Sequence, residues 1–554
     1  MEELRERGVA PFHWEIEFPE VFGEGFSAVV GNPPFMKGGS ISGILGGPYR
    51  DFLKESRPDT HGNADYVAHF FRHGYELIGS GGTAGFISTN TISQGDTRNS
   101  SLGPISLRFD GVIYDAIRRL QWPGLAAVIV SVVHIRKAKT CLKYLDGIPV
   151  SQITPFLFSS GTSTDPIPLT MGGGGLSFSG PKLYGVGFCF DDSDTTGLAS
   201  SLSTMNSILR ANPTSADVIF PLLGGKDLSD LVNEAPTRYA VNLGEISLDR
   251  AWAIYPEIMD ILEKNVKPER AKVKDEKCRD QWWLYERPRP ELAAAKAGHE
   301  RVLVHPFTCK HMAFQFVNSD TIVPAPHNIF IIDHRSGFCV VQSRVHEVWV
   351  RFFGSSLKDD LRYTASQCFE PFPFPKDWQS NQSLESAGQT YYDYRAALML
   401  RNDEGLTKTY NRFHDPDETS AEIVELRNLH AAMDRAVLEA YGWHDLAERA
   451  TCEFQLEYEE PEDDEDDDGR TRKKKKPWRY KWPQDFHDEV LARLLELNQQ
   501  YAEEERLAGK ATAPAPKQAG KKKSATKKTA GEKTPAKKAG KKAPKQVPLL
   551  GDED

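Results

Sequence analysis

The sequence predicts an α/β protein: a partial sheet covered by helices over residues 1–143, then a second, α+β unit over 216–378. Two observations predict the sheet. Apolar runs of strand length alternate with segments of helical apolar spacing, and Gly and Pro turns punctuate them. A third observation divides the remainder, because a Gly, Ser, Thr and Pro-rich stretch over 144–215 reads as a loop-rich connection and charge is strongly segregated toward the C-terminus.

Phe26 to Gly31 is the first buried strand, an apolar run of strand length. Ala64 to Ile78 follows with Val67, Phe70, Phe71, Tyr75 and Ile78 at helical spacing, and after the Gly81-Gly82 turn Gly85 to Thr89 is the second strand. A helix around Tyr114 to Leu120 and a strand within Ala126 to Ile135 complete the unit. Helices alternating with strands imply a parallel or mixed sheet covered on both faces. Ligands of such sheets bind at the carboxyl ends of strands, where Asn32 falls.

In the second unit, strands are expected at Arg301 to Val304, Phe314 to Val317, Asn328 to Ile332 and Phe338 to Val341. A helical segment spans 379–450, an acidic then basic linker 451–484, a short helix 485–508 and a Lys, Ala and Pro-rich tail 509–554. The tail has almost no large apolar residues, so it cannot build a core and is expected to be a disordered polycation that attracts phosphates. The run Gly172 to Gly175 lacks the strand, helix and Lys-Ser/Thr of a phosphate-binding loop and reads as a flexible turn.

The 554 residues contain no apolar run of the roughly eighteen residues that a membrane span needs. The first residues, Met1 to Arg7, are charged without the apolar core of a signal peptide, so a cytoplasmic location with no membrane partner is expected. Seven scattered cysteines, none in a C-x-x-C pair, argue against a disulfide framework and against a structural metal, and no metal site is expected. The net charge of −10 would count against nucleic acid as a partner, but the segregation of charge makes the local balance the relevant quantity.

The most informative residues are Asn32, Pro33, Pro34 and Phe35, delivered by the first strand. An exocyclic amine is a poor nucleophile because its lone pair is delocalised into the ring, so a site that alkylates it needs acceptors to draw that lone pair out. The Asn32 side-chain oxygen and the Pro33 carbonyl supply acceptors, and two prolines fix the turn without offering N–H groups of their own. Phe35 offers a face on which an extruded base can stack.

Together with other blocks, this tetrapeptide resembles the amino-methylating class I DNA methyltransferases fused to a target recognition domain, as in type IIG (MmeI-like) restriction-modification enzymes and the adenine methylases of BREX and DISARM phage defence. The blocks are Phe12 to Phe22, Asn32 to Phe35, Asp65-Tyr66 and Gly85 to Asn90. Further along they are Ile219 to Leu228, Lys267 to Arg270, Trp282-Trp283, Arg287 to Leu292, Gln342 to Trp349, Arg362-Tyr363 and Phe372 to Pro375. The resemblance implies a partial Rossmann-like methyltransferase sheet, S-adenosylmethionine as cofactor with Asn32 and Asp65 toward it, and double-stranded DNA as partner.

It also implies a target recognition domain over 216–378 with Arg270, Arg287, Arg289, Arg344 and Arg362 toward DNA. The expected reaction is site-specific methylation of a flipped adenine at N6, with cytosine N4 a chemically related target. Such proteins place a Gly-rich cofactor loop upstream of the catalytic strand. Only some thirty residues precede Asn32 and they contain no such loop, so the expectation is that either an upstream-encoded chain supplies the cofactor-binding half or the start of this sequence is displaced from the true one. The alternative is a catalytically incomplete DNA-recognition subunit.

Overall fold

The computed structural model describes residues 14–57, 59–122, 129–138, 141–170, 175–230, 236–357, 360–456 and 478–509. Its first layer is a six-stranded sheet in the order β1 (Phe26–Gly31), β2 (Ile78–Thr89), β4 (Ile129–Arg136), β3 (Val112–Gln121), β5 (Lys143–Leu145), β6 (Ile148–Val150). β1 and β2 are parallel, with Val30 opposite Gly85, while β4 runs antiparallel between β2 and β3. The chain leaves β1 through two short helices, α1 (Gly38–Ile44) and α2 (Gly47–Ser56), and returns along α3 (Val67–Leu77).

Val67, Phe71 and Tyr75 recur at four-residue spacing on α3, and all are buried in the sheet core with Ile78, Phe86, Ile113 and Val133. Phe71 lies 5.0 Å from the Phe86 ring, centroid to centroid, and burying such a side chain stabilises the fold by about 1.5–3 kcal/mol. Gly74 makes that packing possible, since a Cβ there would stand 2.3 Å from the Phe86 ring.

The helix expected around Tyr114 to Leu120 is instead part of β3. Ile113, Ala116, Ile117 and Leu120 imitate helical spacing because the β3–β4 ladder shifts register between Ile113 and Asp115 and again between Ile117 and Leu120. Those irregularities break the strand alternation that sequence periodicity depends on.

The second unit holds a four-stranded sheet in the order Gln315–Asn318, Arg301–Pro306, His327–Phe330, Ser177–Ser179. It also holds a three-stranded sheet of Cys189–Phe190, Tyr239–Val241 and Ile219–Pro221. Two of these strands come from the 144–215 connection.

The strand expected at Phe338 to Val341 is a helix, α4 (Arg335–Gln342), buried along its whole length. A short apolar run enclosed on all sides carries no period that separates strand from helix. Around α4 and α5 (Arg344–Phe353) pack α6 (Gln382–Asn402), α7 (Ala421–Ala440) and α8 (Gln484–Leu507), with Phe338, Trp349, Tyr391, Met433 and Leu491 in one continuous core. Asn381 starts α6 by accepting hydrogen bonds from the N–H groups of Ser383 and Leu384 at 3.0 and 3.1 Å, satisfying donors that the helix cannot. Among the described residues no helix is long and apolar enough to cross a membrane.

Candidate active site

β1 ends at Gly31, so Asn32 stands at the carboxyl end of the sheet with its side chain exposed, followed by buried Pro33, exposed Pro34 and Phe35 at 39% exposure. The loop is pinned from behind. The Met36 N–H donates to Asp65 Oδ1 at 3.2 Å, the Val67 N–H donates to the same oxygen at 3.0 Å, and the Tyr66 N–H donates to the Met36 carbonyl at 2.9 Å. Asp65 is in turn held through its own N–H, which donates to Thr97 Oγ1 at 3.1 Å.

Gly38 completes the clamp: a Cβ at that position would lie 2.3 Å from the backbone of Asn63, so only glycine allows the loop to approach so closely. Tyr49 and Tyr66 join their hydroxyls at 2.7 Å, tying α2 to the head of α3, and burial raises the Tyr66 phenol well above its ordinary range.

This geometry separates the expected site residues. Asn32, Pro34 and Phe35 are exposed at the end of β1, with Pro33 buried between them. Asp65 does not fit a cofactor-binding role. It is buried, and its carboxylate caps main-chain N–H groups on both sides of the turn, which makes it a positioning residue for the tetrapeptide. Nearby His69 is buried and neutral, its pKa lowered to about 4 by burial and then by the charges of Arg57 and Arg72.

Of the five arginines expected to face DNA, two are corrected. Arg270 is buried, with its guanidinium donating to the carbonyls of Leu183 and Leu284 at 2.6 and 3.2 Å. Arg344 is buried at the head of α5, donating to Asp434 Oδ2 at 2.6 Å and lying over the Phe413 and Tyr480 rings. Both hold the interior together, and desolvation keeps them from a phosphate or base edge. Arg287 and Arg362 are exposed, and Arg289 is half-buried, adopts φ +59° and immediately precedes the helix Pro290–Lys296.

Sequence reading missed a basic cleft at the same end of the sheet. Thr89 of β2 pairs with Val130 of β4, and Val130 with Leu120 of β3, so Arg118 and Arg119 lie beside the carboxyl end of β2. With Asn90, Arg351 and Lys481 they line a cavity of about 190 Å³. Asp488 at the start of α8 reaches into it, accepting from Arg118 and, at 2.8 Å, from Arg119. Burial pushes the Asp488 carboxyl up, but a hydrogen bond from His487 and the charges of Arg119 and Arg118 outweigh it and hold it at about 2. The adjacent Arg118-Arg119 pair on a strand was the available signal, and it was obscured by the helical reading of that segment.

An α/β sheet with an exposed Asn-Pro-Pro-Phe turn at the end of a strand, joined to an α+β unit, is the class that fold and site define. Comparison with known proteins carries this further: residues 1–102 match the family described as Eco57I restriction-modification methylase, and residues 187–376 match the target recognition domain of MmeI. The second match begins inside the 144–215 connection. DNA methyltransferase A of Bacillus subtilis (strain 168) is 30% identical over 105 residues, which is 18% of this chain and 10% of that protein.

The structure of the type IIL restriction-modification enzyme MmeI in complex with DNA is similar over 86% of this chain and 57% of that one, with TM-score 0.51 and 18% identity, a likeness of fold. The chain thus carries a restriction-modification methylase segment and a target recognition domain, and spans a tenth of the curated relative and little more than half of the solved one.

Proposed function

We propose that this chain carries the base-gripping and DNA-reading parts of a site-specific DNA methyltransferase acting on adenine N6, within a restriction-modification or phage-defence system. The single observation that supports this best is the pinned, outward-facing Asn32 to Phe35 turn at the carboxyl end of a parallel strand, in a chain that also carries a MmeI-type recognition domain. S-adenosylmethionine supplies an electrophilic methyl group when bound.

The residues of this chain act on the base. Asn32 Oδ1 and the Pro33 carbonyl accept hydrogen bonds from the adenine amine, concentrating its lone pair on nitrogen, and Phe35 stacks on the ring. The double prolines and the Asp65 clamp keep these acceptors in place before the base arrives, so little ordering is left to be done in the transition state. Arg287, Arg289 and Arg362 contact DNA from the recognition domain.

Asn32→Ala tests the assignment. Methyl transfer should fall by about 10²–10³-fold, the usual effect of removing one preorganised hydrogen-bonding group, while DNA affinity stays unchanged. Full methylation by that variant would sink the proposal. Cytosine N4 as the modified atom would keep the mechanism and correct the substrate, and mapping the methyl group on duplex DNA separates the two.

A further inference from the structure

A cavity of about 330 Å³ lies between the four-stranded sheet of the recognition domain and two helices, Gly225–Asp230 and Leu406–Phe413, and shares no residue with the site at Asn32. Its volume is at the lower end of the roughly 300–1,000 Å³ that small-ligand sites span. Strand register builds its floor. Val304 and Pro306 alternate on the central strand Arg301–Pro306 and so share a face, while Gln315 is directly opposite Val304 and His327 directly opposite Pro306. One face of the sheet thus sets two apolar and two polar side chains side by side, and Leu228 and Leu406 add apolar walls from the helices.

Both polar side chains keep an atom open toward this space. His327 is only 4% exposed, and its Nδ1 donates to the Pro324 carbonyl at 2.6 Å. The ring is kept neutral by burial, which lowers its pKa, so with the proton on Nδ1 the other nitrogen, Nε2, presents a lone pair. No described residue bonds Nε2, and a Cβ on Gly225 would stand 3.4 Å from it, so glycine leaves its approach clear. Gln315 Oε1 is buried without a hydrogen-bond partner. The other histidine of the lining, His311, is fully engaged: Nδ1 accepts from Arg479 at 2.8 Å and Nε2 donates to Asn411 at 3.0 Å. Leaving buried polar atoms unpaired is costly, so two of them converging on one cavity call for a ligand that pairs them.

The mouth suits an anion. Thr308, Lys310 and Thr407 are exposed there, and Arg362 is directly opposite Thr308 in the neighbouring ladder. Leu406 and Thr407 open their helix, whose first turn has no side-chain cap and no acid. Free N–H groups at such a helix start favour a phosphate. Asp360 is the acidic residue of the described lining and can accept from a sugar hydroxyl.

We infer that this cavity binds an adenine nucleotide, with its base on Gln315 and His327 and its phosphate at Thr308, Lys310 and the start of the helix Leu406–Phe413. A glutamine amide pairs with the N6 donor and N7 acceptor of adenine, whereas the same edge of guanine carries two acceptors, which would face the His327 lone pair. Two sources share this chemistry, a free mononucleotide and a nucleotide extruded from bound duplex. The second rests on the function proposed above and the first does not.

Calorimetry of adenosine 5′-monophosphate on the full chain should give saturable binding, with guanosine 5′-monophosphate at least tenfold weaker. Gln315→Leu and Lys310→Ala should each weaken binding at least tenfold, the second at an exposed position with the thermal midpoint unchanged. Asn32→Ala should leave it unaltered. Photo-crosslinking with 2-azidoadenosine monophosphate, and with random-sequence duplexes carrying 2-azidoadenine, identifies the source. Label on residues 304–315 or on His327 from the free nucleotide assigns a mononucleotide site. Label there from the duplex alone, with no calorimetric binding, assigns a pocket for an extruded base.

No label at these residues from either probe, label that neither variant reduces, or nucleotide binding lost in Asn32→Ala and kept in Gln315→Leu would each overturn the inference. Labelling by the free nucleotide in a protein that transfers no methyl group to DNA would overturn the proposed function and leave the cavity's assignment standing.

Discussion

In the body formed by residues 301–507 a buried arginine meets its acid, whereas along β1 an asparagine, a valine and a phenylalanine stand in the open. The first region satisfies its polar groups internally. Arg344, Asp434 and His430 lie within hydrogen-bonding distance inside a core that draws on α4, α5, α6, α7 and α8 together. The second region keeps its acceptors and apolar faces outward and spends its internal bonds on holding them there. Charge in the interior serves cohesion, whereas polarity at the strand end faces outward.

The largest expected effect breaks the closed region. Asp434→Ala leaves the Arg344 charge buried without its partner and should lower stability by about 3–5 kcal/mol in urea unfolding. Asn32→Ala, at an exposed position, should change stability by no more than about 0.5 kcal/mol. Equal effects at the two sites would erase the contrast.

Acid sharpens the same comparison. His305, His311 and His346 are buried, and burial above all holds each at about 3. Their pKa values are depressed below the unfolded value near 6.5, so the unfolded chain binds more protons between those limits. Their contribution is complete above about pH 6.5 and is lost as pH falls toward 3, at about 1.4 kcal/mol per pH unit for each histidine. Asp434, which burial raises but His430 and Arg344 together hold at about 2, adds a loss only below about pH 4. A stability profile flat from pH 7 to 5 would contradict this.

Much of the α/β frame was legible in the sequence, as was the place of Asn32 at the end of β1. The apolar run before Asn32 and the spacing of Val67, Phe71 and Tyr75 each report a local constraint that the fold keeps, whereas Gly81-Gly82, expected as a turn, lies inside β2. What was illegible depended on partners far away in sequence. β3 looked helical because its ladder bulges twice, α4 looked like a strand because it is enclosed on all sides, and Arg270 and Arg344 looked like DNA ligands because a sequence does not show that a guanidinium is buried. The Asp65 carboxylate was misread for a related reason: its bonds go to the main-chain N–H groups of Met36 and Val67, which leave no residue-type signature.

Two smaller effects refine the site. Asp65→Ala should cost about 1–3 kcal/mol by leaving main-chain donors unsatisfied, and it should lower methyl transfer without altering DNA affinity. Activity equal to that of the natural chain would show that the clamp does not position the turn. Arg287→Ala and Arg362→Ala should each weaken DNA binding by about 1 kcal/mol with the folding midpoint unchanged, as measured by fluorescence anisotropy. Unaltered affinity in both would move the DNA-contacting surface elsewhere.

Methyl transfer from S-adenosylmethionine to duplex DNA, compared between the natural protein and its Asn32→Ala variant, tests the central claim most directly. The expected result is a loss of about 10²–10³-fold in the variant with DNA affinity kept. Equal methylation by the two would contradict it.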